Sequence, residues 1–310
     1  MRILFMGSDE LACPALEKLL GHGKDQVVGI ITQPDRPKGR HRKLTACPVK
    51  EFAEGKGLSV FTPEKIEVAE SVMRISEWKP EVIVVAAYGQ YIPSKVLDLP
   101  MHGAINIHPS MLPKYRGASP IQWAIANGDK ITGVTILYVT KEMDAGDIII
   151  QREVCIDDDD TFITLKPYLA LVGAELLGKA LDEIRDGKAT RTPQNHEASV
   201  YVPKLTKEDG RIDWTQEAEV IRNRMRGFYP WPGCYCEIAS AISSPLKVLS
   251  VRIEEGVGEP GYLIDVQGDG PLMATGQHAL RLLEVQPSGK KRMTGSAYLC
   301  GYDLKVGNRL

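Results

Sequence analysis

The chain has 310 residues, of which 43% are hydrophobic and 25% charged, and its formal net charge is -2. These values suit a globular protein long enough for two domains and exclude a wholly basic nucleic-acid binder, so any contact with RNA must come from local patches. No apolar run approaches the ~18 residues of a membrane span, and the six cysteines lack zinc-site spacing, so we expect a cytoplasmic protein with free thiols.

The first hundred residues alternate short apolar runs with helical patterns. In chain order they predict a strand, a helix, a strand, a helix and a strand: Arg2–Met6, Leu11–Gly21, Val27–Thr32, Ile66–Trp78 and Glu81–Ala87. The third strand is apolar throughout, as expected of a parallel strand covered on both faces. The turn Gly7–Glu10 lacks the pattern G-x-G-x-x-G, so a dinucleotide site of that type is not expected.

A basic run follows the second strand. Five cations fall within eight residues: Arg36, Lys38, Arg40, Arg42 and Lys43. Pro37 and Gly39 disfavour a regular element, so we predict a loop that is mobile on its own and emerges at the carboxyl edge of the sheet. Phosphates would relieve the repulsion between the cations, which makes this run a candidate for RNA binding; the alternative is a merely solvated loop.

The most informative stretch is Ala104–Gly117, which passes from a strand pattern to a polar turn. Side chains alternate across a strand, so Asn106 and His108 share one face while the neighbouring isoleucines occupy the other. Pro109 cannot donate to a sheet ladder, so the strand should end at His108. Both polar side chains would then lie at the carboxyl end, where open α/β sheets bind ligands. Alone, such a pair is more often a hydrogen-bonded part of the core.

The chain then continues with helices and strands before a polar segment. The predicted helices are Ser119–Gly128 and Thr161–Arg185, the strands are Thr132–Val139 and Ile148–Ile156, and the segment Gly187–Leu205 has the composition of a linker. Four consecutive acids, Asp157–Asp160, indicate a solvated turn before a helix, because the alternating ligand spacing of a calcium loop is absent.

Beyond that segment the pattern changes to one helix, Asp213–Gly227, followed by short strands at the spacing of a small barrel. The predicted strands are Cys234–Ile238, Leu246–Ile253, Gly261–Val266, Pro271–Ala274 and Ala279–Val285. Near the end, the cations Lys290, Lys291 and Arg292 either touch RNA or form a solvated hairpin tip.

Several motifs resemble the folate-dependent formyltransferases, and within that family most closely the branch that acts on methionyl-tRNA. In the first half they are the run Ile107–Ile121, the segment Gly133–Ile136 and the turn Asp144–Asp147. In the second half they are Ile212–Trp214, Tyr229–Gly233 and Glu284–Met293. The resemblance therefore covers nearly the whole chain.

The resemblance implies that Asn106, His108 and Asp144 are catalytic, because the family's Asn, His and Asp match these positions. Without the resemblance, Asp147 would compete with Asp144 as the carboxylate. Formyl transfer needs a neutral amine, donors for an oxyanion and a route for a surplus proton. Asn106 and a protonated His108 can supply the donors, Asp144 can accept the proton, and no metal is needed.

The resemblance also implies which residues hold the folate. The family's Ser-Leu-Leu-Pro matches Ser110, Met111, Leu112 and Pro113, and Met111 is a volume-conserving departure. The loop after the third strand adds Tyr88, Gly89 and Ile92, although Tyr88 and Ile92 could equally pack the core. The bonds preceding Pro109 and Pro113 could each be cis.

The implied fold class is α/β. It combines an open Rossmann-like formyltransferase domain with a mostly parallel sheet (1–189), a linker (190–206) and a small OB-like β-barrel domain that binds tRNA (207–310). The implied reaction, by a cytoplasmic monomer without metal or membrane, transfers formyl from 10-formyltetrahydrofolate to the amino group of initiator methionyl-tRNA. The alternatives are a formyltransferase acting on a sugar-nucleotide amine and a non-catalytic RNA-binding protein on the same scaffold.

Overall fold

The structure is a computed structural model that describes residues 1–21, 23–39, 42–237 and 245–310. The chain divides into two compact units whose sequence ranges interleave. The first comprises Met1–Pro120, Ile131–Cys155 and Lys166–Val202, and the second comprises Ile121–Lys130, Ile156–Leu165 and Pro203–Leu310. Two short segments from the middle of the sequence thus belong to the second unit.

The strands are numbered in chain order through both units. They are β1 (Arg2–Gly7), β2 (Gln26–Ile31), β3 (Arg36–Lys38), β4 (Lys43–Thr45), β5 (Val82–Ala86), β6 (Ala104–His108), β7 (Arg116–Gly117), β8 (Ile131–Tyr138), β9 (Ile148–Cys155), β10 (Tyr201–Val202), β11 (Cys234–Glu237), β12 (Pro245–Glu254), β13 (Leu263–Asp265), β14 (Leu272–Ala274), β15 (Ala279–Pro287) and β16 (Met293–Thr294).

The α-helices are numbered in the same way. They are α1 (Cys13–Gly21), α2 (Pro48–Gly55), α3 (Ala69–Glu77), α4 (Ser94–Leu97), α5 (Pro120–Ala126), α6 (Phe162–Arg185), α7 (Ala218–Phe228) and α8 (Gly295–Gly301). The described parts of the chain contain no helix that is both long and apolar enough to cross a membrane.

The first unit is built on a sheet with the strand order β2-β1-β5-β6-β8-β9. The first four strands are parallel and the last two run antiparallel to their neighbours, so the predicted mostly parallel sheet is confirmed. β5 is buried at every position because it lies in the middle of the sheet and is covered on both faces. The chain adds β2 on one side of β1 and β5 on the other, so the carboxyl ends of β1 and β5 form the crevice where such sheets bind ligands.

The second unit contains an antiparallel sheet with the order β11-β12-β15-β14-β13, and β16 pairs with β15. The predicted short strands are confirmed, although Ile238, the expected end of the first, lies outside the described residues. One face of α7 presents Ile221, Met225 and Phe228 to a buried apolar cluster with the sheet, as its helical spacing requires. This cluster is the core of the second unit.

The prediction of an irregular loop at the basic run was wrong. β3 and β4 pair antiparallel as a short hairpin, with Pro37 opposite Leu44. Alternate pairs of such a ladder exchange no hydrogen bonds, so one proline is compatible with the middle of β3. Gly39 and Arg42 take positive φ values, +74° and +48°, and the N–H of Arg42 donates to the Gly39 carbonyl at 3.1 Å, which closes the turn. Arg40, also predicted to bind tRNA, lies outside the described residues.

The polar segment predicted as a linker is held to the first unit over much of its length. Thr192 exchanges two backbone hydrogen bonds with Ile148 of β9, at 2.8 and 3.0 Å. Further on, β10 pairs in parallel with β7. Residues of this segment are therefore fixed beside the turn that follows β6.

Candidate active site

Strand β6 carries Asn106 and His108 to the carboxyl edge of the sheet. It pairs in parallel with β5 and antiparallel with β8, and it ends at His108 as predicted. Asn106 is half-buried, and His108 is 4% exposed. Both side chains therefore lie at a largely desolvated point, where electrostatic interactions are stronger than in water.

The carboxylate of Asp144 contacts both of these side chains. Its Oδ1 accepts a hydrogen bond from Nδ2 of Asn106 at 3.3 Å, and its Oδ2 lies 3.6 Å from Nδ1 of His108. Oδ2 also accepts the backbone N–H of Gly117 at 2.9 Å. Asp144 has φ +51°, a left-handed conformation that costs a non-glycine residue of order 1 kcal/mol. Such a conformation persists only where the surroundings impose it, which points to functional constraint.

The far side of the His108 imidazole is fixed by the backbone of Tyr115. Nε2 lies 2.9 Å from the Tyr115 carbonyl oxygen, which can only accept, so Nε2 carries a proton. Tyr115 is buried and has φ +63°, so it too is held in a left-handed conformation. Nδ1 is therefore the ring nitrogen that faces Asp144 and can gain or lose a proton.

The competing carboxylate, Asp147, has a different set of contacts. Its backbone carbonyl accepts the N–H of Tyr138 at 2.9 Å, as part of the pairing between β8 and the start of β9. Of the two acids, Asp144 is the one in contact with Asn106 and His108. Within the described ranges, no group of three or more His, Cys, Asp or Glu side chains is placed to hold a metal ion.

The loop after β6 is clamped by side chains from the two antiparallel strands. The hydroxyl of Thr135 donates to the Ser110 carbonyl at 2.7 Å and accepts the N–H of Leu112 at 3.3 Å. Gln151 donates to the Leu112 carbonyl at 2.9 Å and to the Thr135 hydroxyl at 2.8 Å. These contacts occupy the polar backbone groups of the loop and give it a fixed shape.

The four predicted folate residues of this loop differ in accessibility. Ser110 is fully buried and donates its hydroxyl to the carbonyl four residues further on, at 2.7 Å, and Leu112 is 4% exposed. Met111 lies against Gly133 of β8, where a Cβ would be 2.5 Å from the Met111 sulfur. The bond before Pro113 is cis. Met111 and Pro113 are the half-buried members and retain surface for a ligand.

The loop after β5 is attached to the ends of two neighbouring strands. The Tyr88 carbonyl accepts hydrogen bonds from Nε2 of Gln33 at 2.9 Å and from the hydroxyl of Ser8 at 3.2 Å. Tyr88 and Ile92 are 1% and 7% exposed and belong to a buried apolar cluster, the packing alternative that the sequence left open. Burial raises the pKa of Tyr88, whose hydroxyl has no hydrogen-bond partner among the described residues. Its assignment to folate, like those of Gly89 and Ile92, stays a prediction.

Two residues that the sequence analysis missed, Arg116 and Gln194, lie next to the site. Arg116 is 1% exposed, and its Nε and Nη2 donate to Oε1 of Gln194 at 3.0 and 2.6 Å. Nε2 of Gln194 donates to the carbonyls of Asp144 and Gly146, both at 2.8 Å. Arg116 lies within the motif run and could have been found from it. Gln194 stands in a polar segment without periodicity, which carries no such signal.

The basic hairpin borders an open cavity of about 360 Å³ at the ends of β1, β2 and β5. Residues that line it include Ser8, Gln33 and Ala87 from the strand ends and Arg36 and Lys38 from the hairpin. The predicted RNA contacts that the structure describes, Arg36, Lys38, Arg42 and Lys43, are all exposed. The hairpin thus presents cations beside the carboxyl edge of the sheet.

Two family descriptions match the chain in sequence order. The family described as "Formyl transferase" matches residues 1–181, and "Formyl transferase, C-terminal domain" matches residues 204–303. The two matches together span most of the chain.

Similar proteins include methionyl-tRNA formyltransferases from several bacteria. That of Geobacter metallireducens is 42% identical, over 100% of this chain and 98% of the relative. That of Alkaliphilus oremlandii is 44% identical, over 100% and 99%. That of Bacillus pumilus is 42% identical, over 100% and 97%.

Solved structures with the same fold are more distant in sequence. HypX from Aquifex aeolicus in complex with tetrahydrofolic acid has a TM-score of 0.62 at 20% identity, over 97% of this chain and 47% of HypX. The chain thus spans about half the length of HypX. The N-formyltransferase from Helicobacter canadensis, in complex with folinic acid and dTDP-3-aminofucose, has a TM-score of 0.64 at 17% identity, over 91% and 99%. With relatives above 40% identity along its whole length, the chain belongs to the methionyl-tRNA formyltransferase family.

Proposed function

We propose that this chain transfers the formyl group of 10-formyltetrahydrofolate to the amino group of methionyl-tRNA, and that Asn106, His108 and Asp144 carry the chemistry. The observation that carries the proposal is the contact of Asp144 with both other side chains at the end of β6. The full-length similarity to methionyl-tRNA formyltransferases supports the choice of acceptor.

The reaction breaks the bond between the formyl carbon and N10 of the folate and forms one between that carbon and the amine nitrogen. Attack by the neutral amine places negative charge on the formyl oxygen and leaves the amine nitrogen with a surplus proton. When the tetrahedral intermediate collapses, the carbonyl re-forms and N10 departs with a proton. The site must therefore hold an oxyanion and move a proton.

Asn106 supplies a donor for the oxyanion. Its side-chain amide carries two N–H bonds, of which one is directed to Asp144 at 3.3 Å. The other can point at the formyl oxygen. Because the site is largely desolvated, this single hydrogen bond is worth ~3 kcal/mol or more in the transition state.

His108 and Asp144 move the proton. Nδ1 and Oδ2 are 3.6 Å apart, so the site holds two basic atoms side by side that can accept the surplus proton of the amine, directly or through water. Once protonated, His108 also adds positive charge beside the oxyanion. Because Nε2 already donates to Tyr115, the exchange runs through Nδ1.

The substrates approach from elements at the same sheet edge. The folate lies against Met111 and Pro113, with Ser110 and Leu112 supporting them from the buried side. The phosphates of the initiator tRNA reach the cations of the basic hairpin. We assign residues 1–189 to catalysis, 190–206 to the connection and 207–310 to tRNA binding, in a monomer that works in the cytoplasm.

The test compares four amine acceptors with 10-formyltetrahydrofolate as donor: methionyl-tRNA, uncharged tRNA, free methionine and a dTDP-linked amino sugar. We expect formyl incorporation into methionyl-tRNA with a kcat/KM far above that of the other three. A higher kcat/KM for the amino sugar would replace the proposed acceptor. Binding of tRNA without release of tetrahydrofolate would instead identify a non-catalytic RNA-binding protein.

A further inference from the structure

The side chain of Gln194 is held in one orientation by Arg116. The guanidinium can only donate, so the amide must present its oxygen to it, at 3.0 Å from Nε and 2.6 Å from Nη2. The NH2 group is thereby directed the other way. It donates to the backbone carbonyls of Asp144 and Gly146, each at 2.8 Å. The orientation follows from hydrogen-bond chemistry, because the reverse would place donor against donor and acceptor against acceptor.

Arg116 is itself buried, with 1% of its surface exposed, and its guanidinium is surrounded by hydrogen-bond partners. Besides Gln194, it contacts Nδ1 of His196 at 3.3 Å and the hydroxyl of Tyr201 at 3.1 Å. Its backbone N–H donates to the Val200 carbonyl at 2.8 Å, and β7 pairs with β10. Gln194 is therefore attached to a fixed point rather than to a flexible surface side chain.

The same stretch of chain reaches Asp144 from two directions. Gly117, which follows Arg116, donates its N–H to the Asp144 carboxylate at 2.9 Å. Gln194, bound to the Arg116 side chain, holds the Asp144 carbonyl. The carboxylate and the backbone of Asp144 are thus fixed to adjacent residues of one strand. These two attachments explain how Asp144 keeps its left-handed φ of +51°.

We propose that Gln194 is a positioning residue for the reaction: its NH2 group, oriented by Arg116, holds the backbone of Asp144 so that the carboxylate stays between Asn106 and His108. The inference rests on the proposed catalytic role of Asp144. Gln194 is not expected to touch either substrate, since it acts through the carbonyls of Asp144 and Gly146.

Two substitutions distinguish the role of the amide NH2 group of Gln194 from that of its oxygen. Gln194→Glu keeps an oxygen for Arg116, and with it an ion pair that should preserve the fold, but replaces the NH2 donor with an acceptor that faces two carbonyls. Gln194→Met removes both functions at similar volume. A displacement of ~1 Å at a reacting group can cost about 100-fold, so we expect kcat to fall about 10- to 100-fold in both variants. The KM for methionyl-tRNA and for the folate should stay within about 2-fold of the wild-type values.

The matched control is Gln26, whose side-chain oxygen also accepts from an arginine, Arg2, at 3.4 Å, but at the opposite edge of the sheet. Gln26→Glu and Gln26→Met should leave kcat unchanged. Near-normal kcat in Gln194→Glu would overturn the inference, because the donors to Asp144 would then be dispensable. A loss of kcat that disappears when the melting temperature is restored by a stabilising solute would also overturn it.

The decisive readout is a double-mutant cycle with Asp144→Asn. If Gln194 acts through Asp144, Gln194→Met should lower kcat by less than about 2-fold in the Asp144→Asn background, since there is no carboxylate left to position. If the fold-losses of kcat in the two single variants multiply in the double variant, the inference is overturned. The proposed function fails in a different way, by undiminished turnover in the Asp144→Asn single variant.

Discussion

Asp144 combines a negative charge, a left-handed backbone conformation and hydrogen bonds at both carboxylate oxygens. Its two carboxylate oxygens have different partners: Oδ1 faces Asn106, while Oδ2 accepts from Gly117 and faces His108. A carboxylate is suited to this position because it accepts at both oxygens without rotating. An amide of the same shape would have to place its NH2 group against one of these donors.

The first prediction concerns Asp144→Asn. We expect kcat to fall about 10²- to 10⁴-fold while the folate dissociation constant changes little, because the variant loses the proposed proton acceptor and keeps the loop proposed to bind folate. Single-turnover formylation and folate titration measure the two effects. Asp147→Asn is the matched control, three residues away, and should keep near-normal turnover. If Asp147→Asn abolished activity and Asp144→Asn did not, the wrong carboxylate would have been chosen.

The second prediction concerns Thr135, which is fully buried and whose hydroxyl clamps the loop after β6. Thr135→Val keeps the shape but leaves the Ser110 carbonyl and the Leu112 N–H without this partner, which costs about 1–3 kcal/mol for each unsatisfied group. We expect a lower melting temperature and a folate dissociation constant raised about 10-fold.

Thr132 provides the control on the same strand. It is also buried, but its hydroxyl has no hydrogen-bond partner among the described residues. Thr132→Val should therefore leave stability unchanged or raise it, and folate affinity should not move. Equal effects of the two substitutions would contradict the clamping role of Thr135.

At the scale of elements, the β3–β4 hairpin changes how the basic run can act. A loop must lose conformational freedom when it binds RNA, whereas a paired hairpin has already lost part of it. The pairing of the two strands fixes the spacing of the cations that they carry, which are Arg36, Lys38 and Lys43. The pairing thus lowers the ordering cost of binding a phosphate backbone.

The third prediction is that Arg42→Ala raises the KM for methionyl-tRNA, leaves folate affinity unchanged and reduces the salt-dependence slope of tRNA binding by up to ~1. Lys188→Ala is the control, an exposed cation that pairs with Asp186 at the end of α6. Titrations of tRNA at several salt concentrations measure the slope. An unchanged slope in Arg42→Ala would leave this residue without a phosphate contact.

The elements differ in how far the sequence could predict them. β6 and its end at His108 followed from alternating side chains and from Pro109, both local signals. The hairpin was missed because a proline and a glycine within a short run argue against pairing. The pairing of β7 with β10 could not be predicted, since each strand has two residues without periodicity and the partners lie 85 residues apart in sequence, as Arg116 and Tyr201 show.

The residues of the site also divide into those with a local sequence signal and those without one. Asn106, His108 and the loop proposed to bind folate could be named because they lie in one continuous run. Asp144 was selected over Asp147 only through the resemblance, and the distances now separate the two. Gln194 was missed because it donates to the backbone carbonyls of Asp144 and Gly146. Every residue has a backbone carbonyl, so such a contact does not require a particular residue type that the sequence would reveal.

At the scale of the whole molecule, the interleaving of the two units limits which parts of the chain can be deleted without destabilising the protein. Trp123, in the segment Ile121–Lys130, stacks edge to face on Phe228 of α7, with ring centroids 5.4 Å apart. Ala126 belongs to the same buried cluster. A chain that ended before α7 would keep these residues but lose what they pack against.

The fourth prediction concerns a chain ending at Leu205. It should have a markedly lower melting temperature than the full chain and should aggregate, because Trp123 and Ala126 become exposed. Calorimetry and light scattering measure both effects. Adding residues 206–310 as a separate polypeptide should restore part of the stability. A shortened chain that melts at the full-length temperature would show that residues 206–310 contribute nothing to holding the segment Ile121–Lys130.

The interleaving also has a consequence during synthesis on the ribosome. Ala126 emerges about a hundred residues before Phe228, which at ~5–20 residues per second is a delay of about 5–20 s. The last strand of the first sheet, β9, is complete at Cys155, early in that interval. The segment around Ala126 must instead wait for α7 and the strands of the second sheet, which are made last. The nascent chain therefore carries exposed apolar residues at its middle, and chaperones that bind nascent apolar segments would protect it there until the final hundred residues arrive.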